Sequence, residues 1–156
     1  MSVGNPDEPT AVGRIPLEDL SVGEEIPRQA MTVTSADHEQ RMATAAEVLP
    51  WGNSVLIPSS VVGLLYQPCV ATVRAKAKPC TGIFGAIEIR NINGPTLVDT
   101  PYTVHGKVLA LGQSPKTELL WYETYADDDS GTRVAEMRML IRMMKNSSPL
   151  YSASEL

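Results

Sequence analysis

The sequence predicts an α+β fold in which one antiparallel sheet wraps around one central helix. Apolar residues recur at helical spacing in the first half of the chain and at every second position from residue 81 onward. The elements follow one another as a short strand, two helices and four strands, whereas a doubly wound sheet needs strands and helices that alternate. The 156 residues are the size of one domain.

The first half of the chain is predicted to form a strand and two helices. QAMTVT at 29–34 alternates like a strand. A helix follows, because Thr34 or Ser35 can cap it and acids suit its positive N-terminal end. The segment 59–78 is apolar nearly all round in its first two turns, which predicts a helix surrounded by other structure. Pro68 is expected to end or kink that helix.

The second half of the chain is predicted to be a meander of strands. The four candidates are IFGAIEIRNI, PYTVHGKVLALG, KTELLWYETYAD and RVAEMRMLIRMMK, at 83–92, 101–112, 116–127 and 133–145. Turn-forming residues join them, and the short QSP and DDDSG connections indicate antiparallel hairpins. Long strands with apolar edges also suggest pairing with another subunit.

Domain limits follow from where apolar residues stop. Residues 1–13 and 146–156 are polar and rich in turn formers, so we expect a loose arm and a loose tail. Residues 14–145 are expected to form the single domain.

Charge and cysteine usage exclude several classes of partner. The net charge is -5, and no concentrated basic cluster exists, so nucleic acid is not an expected partner. No apolar run suits a signal peptide or a membrane span, which predicts a cytoplasmic protein. Cys69 and Cys80 lack metal-site spacing and the chain has two histidines, so we expect neither a metal nor a cofactor. The sequence does not decide whether the two cysteines form a disulfide.

Three stretches carry a family resemblance. They are LEDLSVGEEIPRQAMTVTSADHEQRMATAAEV at 17–48, SSVVGLLYQPCVA at 59–71 and VDTPYTVHGKV at 98–108. Together they resemble the MaoC-like branch of the hot-dog superfamily. The resemblance implies the hot-dog fold, subunits that pair as homodimers or heterodimers with pockets at their interface, and a small hydrophobic or acyl-thioester ligand.

The loop before the central helix departs from that family. Its hydratases and dehydratases carry the pattern Asp, any residue, Asn, Pro, any residue, His, in which the acid and the imidazole hold a water and move a proton. In PWGNSVL at 50–56, Trp51 takes the aspartate place, Asn53 keeps the asparagine and Leu56 takes the histidine place. Neither an indole nor an isobutyl group shuttles a proton, so the usual Asp/His pair is lacking.

Two residues are the candidates for catalysis in the absence of that pair. Glu88 lies between Ile87 and Ile89, where burial would raise its pKa, but it can equally face water or pair with Arg90. His105 is either a solvent-facing or interface side chain or a relocated base that lines a pocket.

The predicted ligand-binding residues surround the start of the central helix. They are Trp51, Asn53, Leu56, Ser59, Ser60 and Tyr66. Trp51 is expected to line, narrow or plug a cavity. Ser59 and Ser60 are expected to cap the helix or to donate to a carbonyl.

Other acidic and basic side chains are expected to face solvent. Asp37, His38 and Glu39 form an acid and base cluster, for which the exposed first turn of a helix is the favoured interpretation. Glu118 and Glu123 are expected at outward positions of an exposed strand.

Two functions are compatible with these observations. One is binding of a hydrophobic acyl thioester or polyketide-like ligand with atypical dehydratase, hydratase or cyclase-type chemistry, which would make the chain a lyase or an isomerase. The other is a noncatalytic binding subunit or the inactive half of a heteromeric enoyl-thioester hydratase. A thioesterase ranks last, because residues 59–73 contain no Asp or Glu.

Overall fold

The computed structural model describes residues 17–44, 52–77 and 80–145. The predicted arm and tail and Trp51 lie outside these residues.

The elements of the described residues follow the predicted order. They are β1 (Glu25–Met31), α1 (Ser35–Met42), α2 (Pro58–Lys76), β2 (Gly82–Asn91), β3 (Tyr102–Gln113), β4 (Thr117–Asp127) and β5 (Arg133–Met144). The four predicted strands are confirmed as β2 to β5, but the meander covers β3 to β5 alone, because β2 pairs with β5 and not with β3.

The five strands form one antiparallel sheet in the order β1-β3-β4-β5-β2. β2 follows α2 in the chain and joins the far side of β5, so β1 and β2 are the two edge strands. Within the part of the chain that the structure describes, both edges of the sheet are therefore unpaired, and one of them is a strand of ten residues.

The core lies between α2 and one face of the sheet, which we call the inner face. On β3 the buried side chains alternate with more exposed ones from Tyr102 to Val108. These side chains and those of Leu120, Tyr122, Met137 and Met139 form one apolar cluster with Leu64 and Leu65 of α2. The predicted packing of one sheet around one helix is confirmed.

The two helices begin differently. Thr34 caps α1 by accepting a hydrogen bond from the Asp37 N–H at 3.1 Å. α2 begins with Pro58, whose fixed φ suits the first helical position, and Ile57 before it offers no side-chain cap. α2 then continues through Pro68 to Lys76, so of the two predicted effects of Pro68 the end of the helix is wrong, while the kink stays a prediction.

Two acids predicted to face solvent are buried. Glu118 is 2% exposed, and its carboxylate accepts a hydrogen bond at 2.8 Å from the N–H of Leu17, which is 101 residues earlier in the sequence. Glu123 is 6% exposed and lies between Lys107 and Arg138, each at 3.3 Å. Both predictions are wrong because partners distant in sequence cover these strand positions.

Candidate functional site

The loop that leads into α2 is fastened to a second loop. The Leu56 N–H donates to the Thr96 carbonyl at 2.9 Å, and the Val98 N–H donates to the Ser54 carbonyl at 3.0 Å. Leu56 is 4% exposed and belongs to the core, whereas Asn53 is exposed. Leu56 thus fills core space at the position where the family resemblance would place a histidine.

The first turn of α2 carries the two predicted serines in different environments. Ser59 is exposed, and its carbonyl accepts a hydrogen bond from Arg41 Nη1 at 3.3 Å. Ser60 is fully buried. The Ser60 and Val61 amides donate to the Ile57 carbonyl and Pro58 has no N–H, so the Ser59 N–H is the donor of this turn that lacks an acceptor within the helix.

His38 lies buried against the first turn of α2. It is 1% exposed, and its Nδ1 lies 3.4 Å from Ser60 Oγ, while Asp37 and Glu39 on either side are exposed. The prediction of an exposed first turn is therefore wrong for His38. Residues four apart share a helix face, so the spacing of His38 and Met42 is the sequence signal that places His38 on the inward side of α1.

The hydrogen bonding of His38 is incomplete. Among the described residues, Nε2 has no partner. Most buried polar atoms in folded proteins have one, and an exception calls for an explanation.

A cleft opens between α1 and α2 beside this pair. Its volume is about 540 Å³, and its lining includes Met31, Val33, Asp37, Arg41, Gly63 and Leu64. A Cβ atom at Gly63 would lie 2.9 Å from Arg41 Nη2, so a glycine at this position lets the guanidinium pack closely on α2.

A second cavity, which we call the apolar cavity, lies between the later turns of α2 and the sheet. It holds about 490 Å³, and its lining includes Tyr66, Cys69, Val70, Val73, Phe84, Ile141 and Met143. Tyr66 packs edge to face against Phe84 of β2, with ring centroids 5.4 Å apart. Tyr66 is thus the predicted ligand-binding residue that lines this cavity.

The two cysteines also line the apolar cavity, and both are free thiols. Burial raises the pKa of Cys69 to about 12, and burial also raises the pKa of Cys80. Both groups are therefore protonated at neutral pH and add apolar lining rather than a nucleophile.

The β2 edge beside the apolar cavity exposes apolar side chains. Ile83, Phe84 and Ile87 are 51%, 58% and 44% exposed. Glu88 lies on the same strand, is exposed, and pairs with Arg90 at 3.4 Å. Of the alternatives for Glu88, the structure matches pairing with Arg90 at the protein surface.

His105 lies on the outer face of the sheet, opposite α2. Its Nε2 is 2.8 Å from Asp127 Oδ2, and it lines an outer groove of about 390 Å³ with Glu25, Arg28, Lys107 and Tyr125. Arg133 stacks on the Tyr125 ring at 3.6 Å and lies 3.5 Å from Asp127. Burial and the hydrogen bond to Glu123 raise the pKa of Tyr125 to about 12. His105 thus lines a pocket, but one separated from α2 by the sheet.

The predicted site residues therefore do not form one site. Ser59 and Ser60 meet His38 and Arg41 at the start of α2, Tyr66 lines the apolar cavity, and Glu88 and His105 lie outside both. Sequence reasoning missed His38 as a buried partner of Ser60.

Known structures share this fold. The chain is similar to a monoamine oxidase regulatory protein from Archaeoglobus fulgius, with 16% identity, coverage of 84% of this chain and 95% of that one, and a TM-score of 0.68. A hot-dog-like protein from Thermanaerovibrio acidaminovorans gives 16% identity, 83% and 87% coverage and a TM-score of 0.62. The HadBC (3R-hydroxyacyl-ACP dehydratase) complex from Mycobacterium tuberculosis gives 10% identity, 77% and 96% coverage and a TM-score of 0.64.

These likenesses establish a single hot-dog domain, so the predicted fold class is confirmed. No protein-family model matches the chain, and no curated protein sequence does. In the described residues, no helix has both the length and the apolar character needed to cross a membrane.

Proposed function

We propose that this chain binds a hydrophobic acyl thioester along α2, with the thioester carbonyl at the first turn and the acyl chain in the apolar cavity. The observation that carries the proposal is the position of this cavity on the helix. Ser59 and Tyr66 are seven residues apart, so they share one face of α2 at an axial separation of about 10 Å. An acyl chain of moderate length spans that distance.

The first turn of α2 suits a carbonyl oxygen. A helix N-terminus carries partial positive charge and unmatched N–H groups, and the Ser59 N–H lacks an acceptor within the helix. Such donors stabilise negative charge that develops on a carbonyl oxygen. A fatty acyl or polyketide-like chain attached to that carbonyl would meet mainly apolar side chains beyond Tyr66.

A cavity-filling substitution tests the proposal. Val70→Phe places a ring in the apolar cavity, whereas Ala71→Phe adds the same ring at the exposed neighbouring position. We expect Val70→Phe to weaken calorimetric binding of octanoyl-coenzyme A at least tenfold and to change acetyl-coenzyme A binding little. Equal effects of the two variants on octanoyl-coenzyme A would contradict the proposed position of the acyl chain.

We further propose that the chain pairs with a second hot-dog subunit through β2. The unpaired backbone of this edge and its exposed Ile83, Phe84 and Ile87 support such pairing, and Phe84 also lines the apolar cavity. Ile87→Lys should therefore convert a dimer to a monomer in native mass spectrometry. Val22→Lys is the control, since Val22 is 63% exposed but lies outside β2. A wild-type monomer would contradict the pairing.

We propose that the chain converts the bound acyl thioester by atypical dehydratase, hydratase or cyclase-type chemistry, with Glu88 and His105 as the predicted catalytic residues. Glu88 would enter the site only through pairing at β2, because it is exposed in the single chain. His105 has in Asp127 the carboxylate partner that orients a general base, although its groove opens on the outer face. Glu88→Gln and His105→Gln should each reduce turnover of an enoyl thioester. Unchanged turnover in either variant would show that the substituted residue takes no part in catalysis.

A noncatalytic binding subunit, or the inactive half of a heteromeric enoyl-thioester hydratase, is the second candidate. Two observations favour this candidate. Leu56, which has no ionisable group, fills the core beside the start of α2, and Glu88 is paired with Arg90 at the protein surface, so neither side chain offers a proton at the start of α2. Native mass spectrometry of the protein from its own cells should then reveal a second hot-dog chain. Hydration of enoyl thioesters by the purified chain alone, together with a pure homodimer, would contradict this candidate.

A further inference from the structure

We propose that His38, held by Ser60, donates a hydrogen bond to the carbonyl oxygen of an acyl thioester bound at the start of α2. The inference deepens the proposed function and rests on it. It assigns to a side chain of α1 the carbonyl recognition that the proposed function gives to the first turn of α2 alone.

The unmatched nitrogen of His38 points to a ligand. His38 and Ser60 are 1% and 0% exposed, and Nε2 has no hydrogen-bond partner among the described residues. Leaving a buried donor or acceptor unmatched destabilises a fold substantially, whereas an oxygen atom of a ligand satisfies it. A thioester carbonyl supplies such an oxygen in every member of the proposed ligand class.

In the proposed arrangement the Ser60 hydroxyl donates to the imidazole of His38, and the imidazole hydrogen lies on Nε2. In a neutral imidazole one nitrogen carries the hydrogen and the other accepts. When the Ser60 hydroxyl donates to Nδ1, across their 3.4 Å separation, Nε2 carries the hydrogen. Ser60 thus acts as a positioning residue that leaves an N–H donor on the far side of the ring.

The pair lies beside the other donors that suit a carbonyl. Ser60 belongs to the same helical turn as the Ser59 N–H, and Arg41 binds the Ser59 carbonyl at 3.3 Å, which fastens α1 to this turn. Ser60 also shares its helix face with Gly63 and Leu64, three and four residues on, which line the α1–α2 cleft. The cleft therefore reaches to within about one turn of the pair.

The rest of the chain offers few alternatives to His38 at this place. No other histidine occurs before His105, and no aspartate occurs between 38 and 98. Leu56, at the end of the preceding loop, is a core residue. A side chain from α1 therefore supplies the imidazole that the loop lacks.

The test compares two ligands that differ in one oxygen. Octanoyl-coenzyme A has the thioester carbonyl, and the thioether S-octyl-coenzyme A does not. We expect the wild-type protein to bind the thioester about tenfold more tightly in calorimetric titrations, as one added hydrogen bond predicts.

Substitutions locate the donor. His38→Phe should remove most of the tenfold preference and leave the part contributed by the Ser59 N–H, and His38→Gln, which keeps an N–H donor, should retain more of the preference than His38→Phe does. Ser60→Ala should lower the preference for the thioester in part, because the imidazole of His38 loses the hydroxyl that orients it. Thioether affinity should stay unchanged in these three variants. Glu39→Phe, with the same ring at an exposed neighbouring position, should keep the full preference.

A full preference in His38→Phe would overturn the role of His38 while leaving the proposed function intact. Equal binding of both ligands by the wild-type protein would overturn both the role of His38 and carbonyl recognition at the first turn of α2, but not acyl-chain binding in the apolar cavity. Failure of both ligands to bind would instead contradict the proposed function, and the role of His38 with it.

A spectroscopic measurement covers the case in which the His38 variants do not fold. The chain has two histidines, so ¹⁵N-histidine labelling of His105→Gln leaves signals from His38 alone. We expect the tautomer with hydrogen on Nε2 and a shift of that nitrogen with octanoyl-coenzyme A but not with the thioether. Hydrogen on Nδ1, or equal shifts with both ligands, would contradict the proposal.

Discussion

The two histidines of the chain lie in opposite environments. On the outer face of the sheet, His105 meets Asp127 at 2.8 Å, and Glu123 on the same face pairs with Lys107 and Arg138. At the start of α2, His38 of α1 is buried beside one hydroxyl, with a nitrogen that has no partner among the described residues.

The difference concerns the hydrogen bonding of the two imidazoles. His105 has a carboxylate partner on the adjacent strand, an arrangement typical of the cross-strand pairs that stabilise a sheet. His38 lies in a packed interior, where an unmatched nitrogen is costly. The unmatched nitrogen of His38 therefore points to a ligand more strongly than the acid and base pair of the outer face does.

The largest expected effect comes from the inner face of β3. A Cβ atom at Gly106 would lie 2.0 Å from the Glu123 carbonyl oxygen, so Gly106→Ala must displace backbone. We expect it to lower the free energy of unfolding by about 3 kcal/mol or more in urea denaturation. Gly112→Ala is the matched control, because its nearest contact would be 3.5 Å and ordinary. Equal stability of the two variants would contradict the close packing of β3 on β4.

A smaller effect is expected from the outer face. Lys107→Ala removes one of the two cations beside Glu123, and its side chain is 50% exposed. We expect a loss of about 0.5 kcal/mol at low salt, because solvent screens exposed pairs. The loss should shrink further in 1 M salt. A salt-independent loss above about 2 kcal/mol would mean that the outer face is held as firmly as the inner face.

The smallest expected effect is a change in the stability of the fold with pH that is caused by the ionisation of Glu123. Burial raises its pKa, but hydrogen bonds from Tyr125, Lys107 and Arg138 outweigh burial and leave the pKa below its usual value of 4.5. A lowered folded-state pKa contributes stability above pH 4.5, which is lost as pH falls through the lowered pKa. The stability difference between wild type and Glu123→Gln should therefore narrow in acid. Parallel curves from pH 7 to pH 3 would contradict this contribution.

Local sequence patterns predicted most of the fold. Alternation predicted β3 to β5 because each of these strands has one face toward the core, and the apolar turns of α2 predicted the central helix. β2 was predicted as well, although the structure leaves nearly all of it exposed. Pro68 did not end α2, whose packing in the core maintains the helix beyond a single lost hydrogen bond.

The candidate site was less predictable, because it depends on contacts between distant segments. His38 lies between two acids, which suggested exposure, and its contact with Ser60 forms only when α1 packs on α2. Glu118 gave no local sign of burial, since its partner Leu17 is 101 residues away in sequence. Ser59, Ser60 and Tyr66 were predicted because a helix start and its apolar face are local features.

A chain-length series on the wild-type protein tests binding along α2 most directly. Calorimetric titration with acetyl-, butyryl-, hexanoyl- and octanoyl-coenzyme A would measure how affinity depends on the acyl chain. Burial in the apolar cavity predicts a gain of about 0.8 kcal/mol for each added methylene until the cavity is full. An affinity that does not change from acetyl to octanoyl would contradict acyl-chain binding in that cavity.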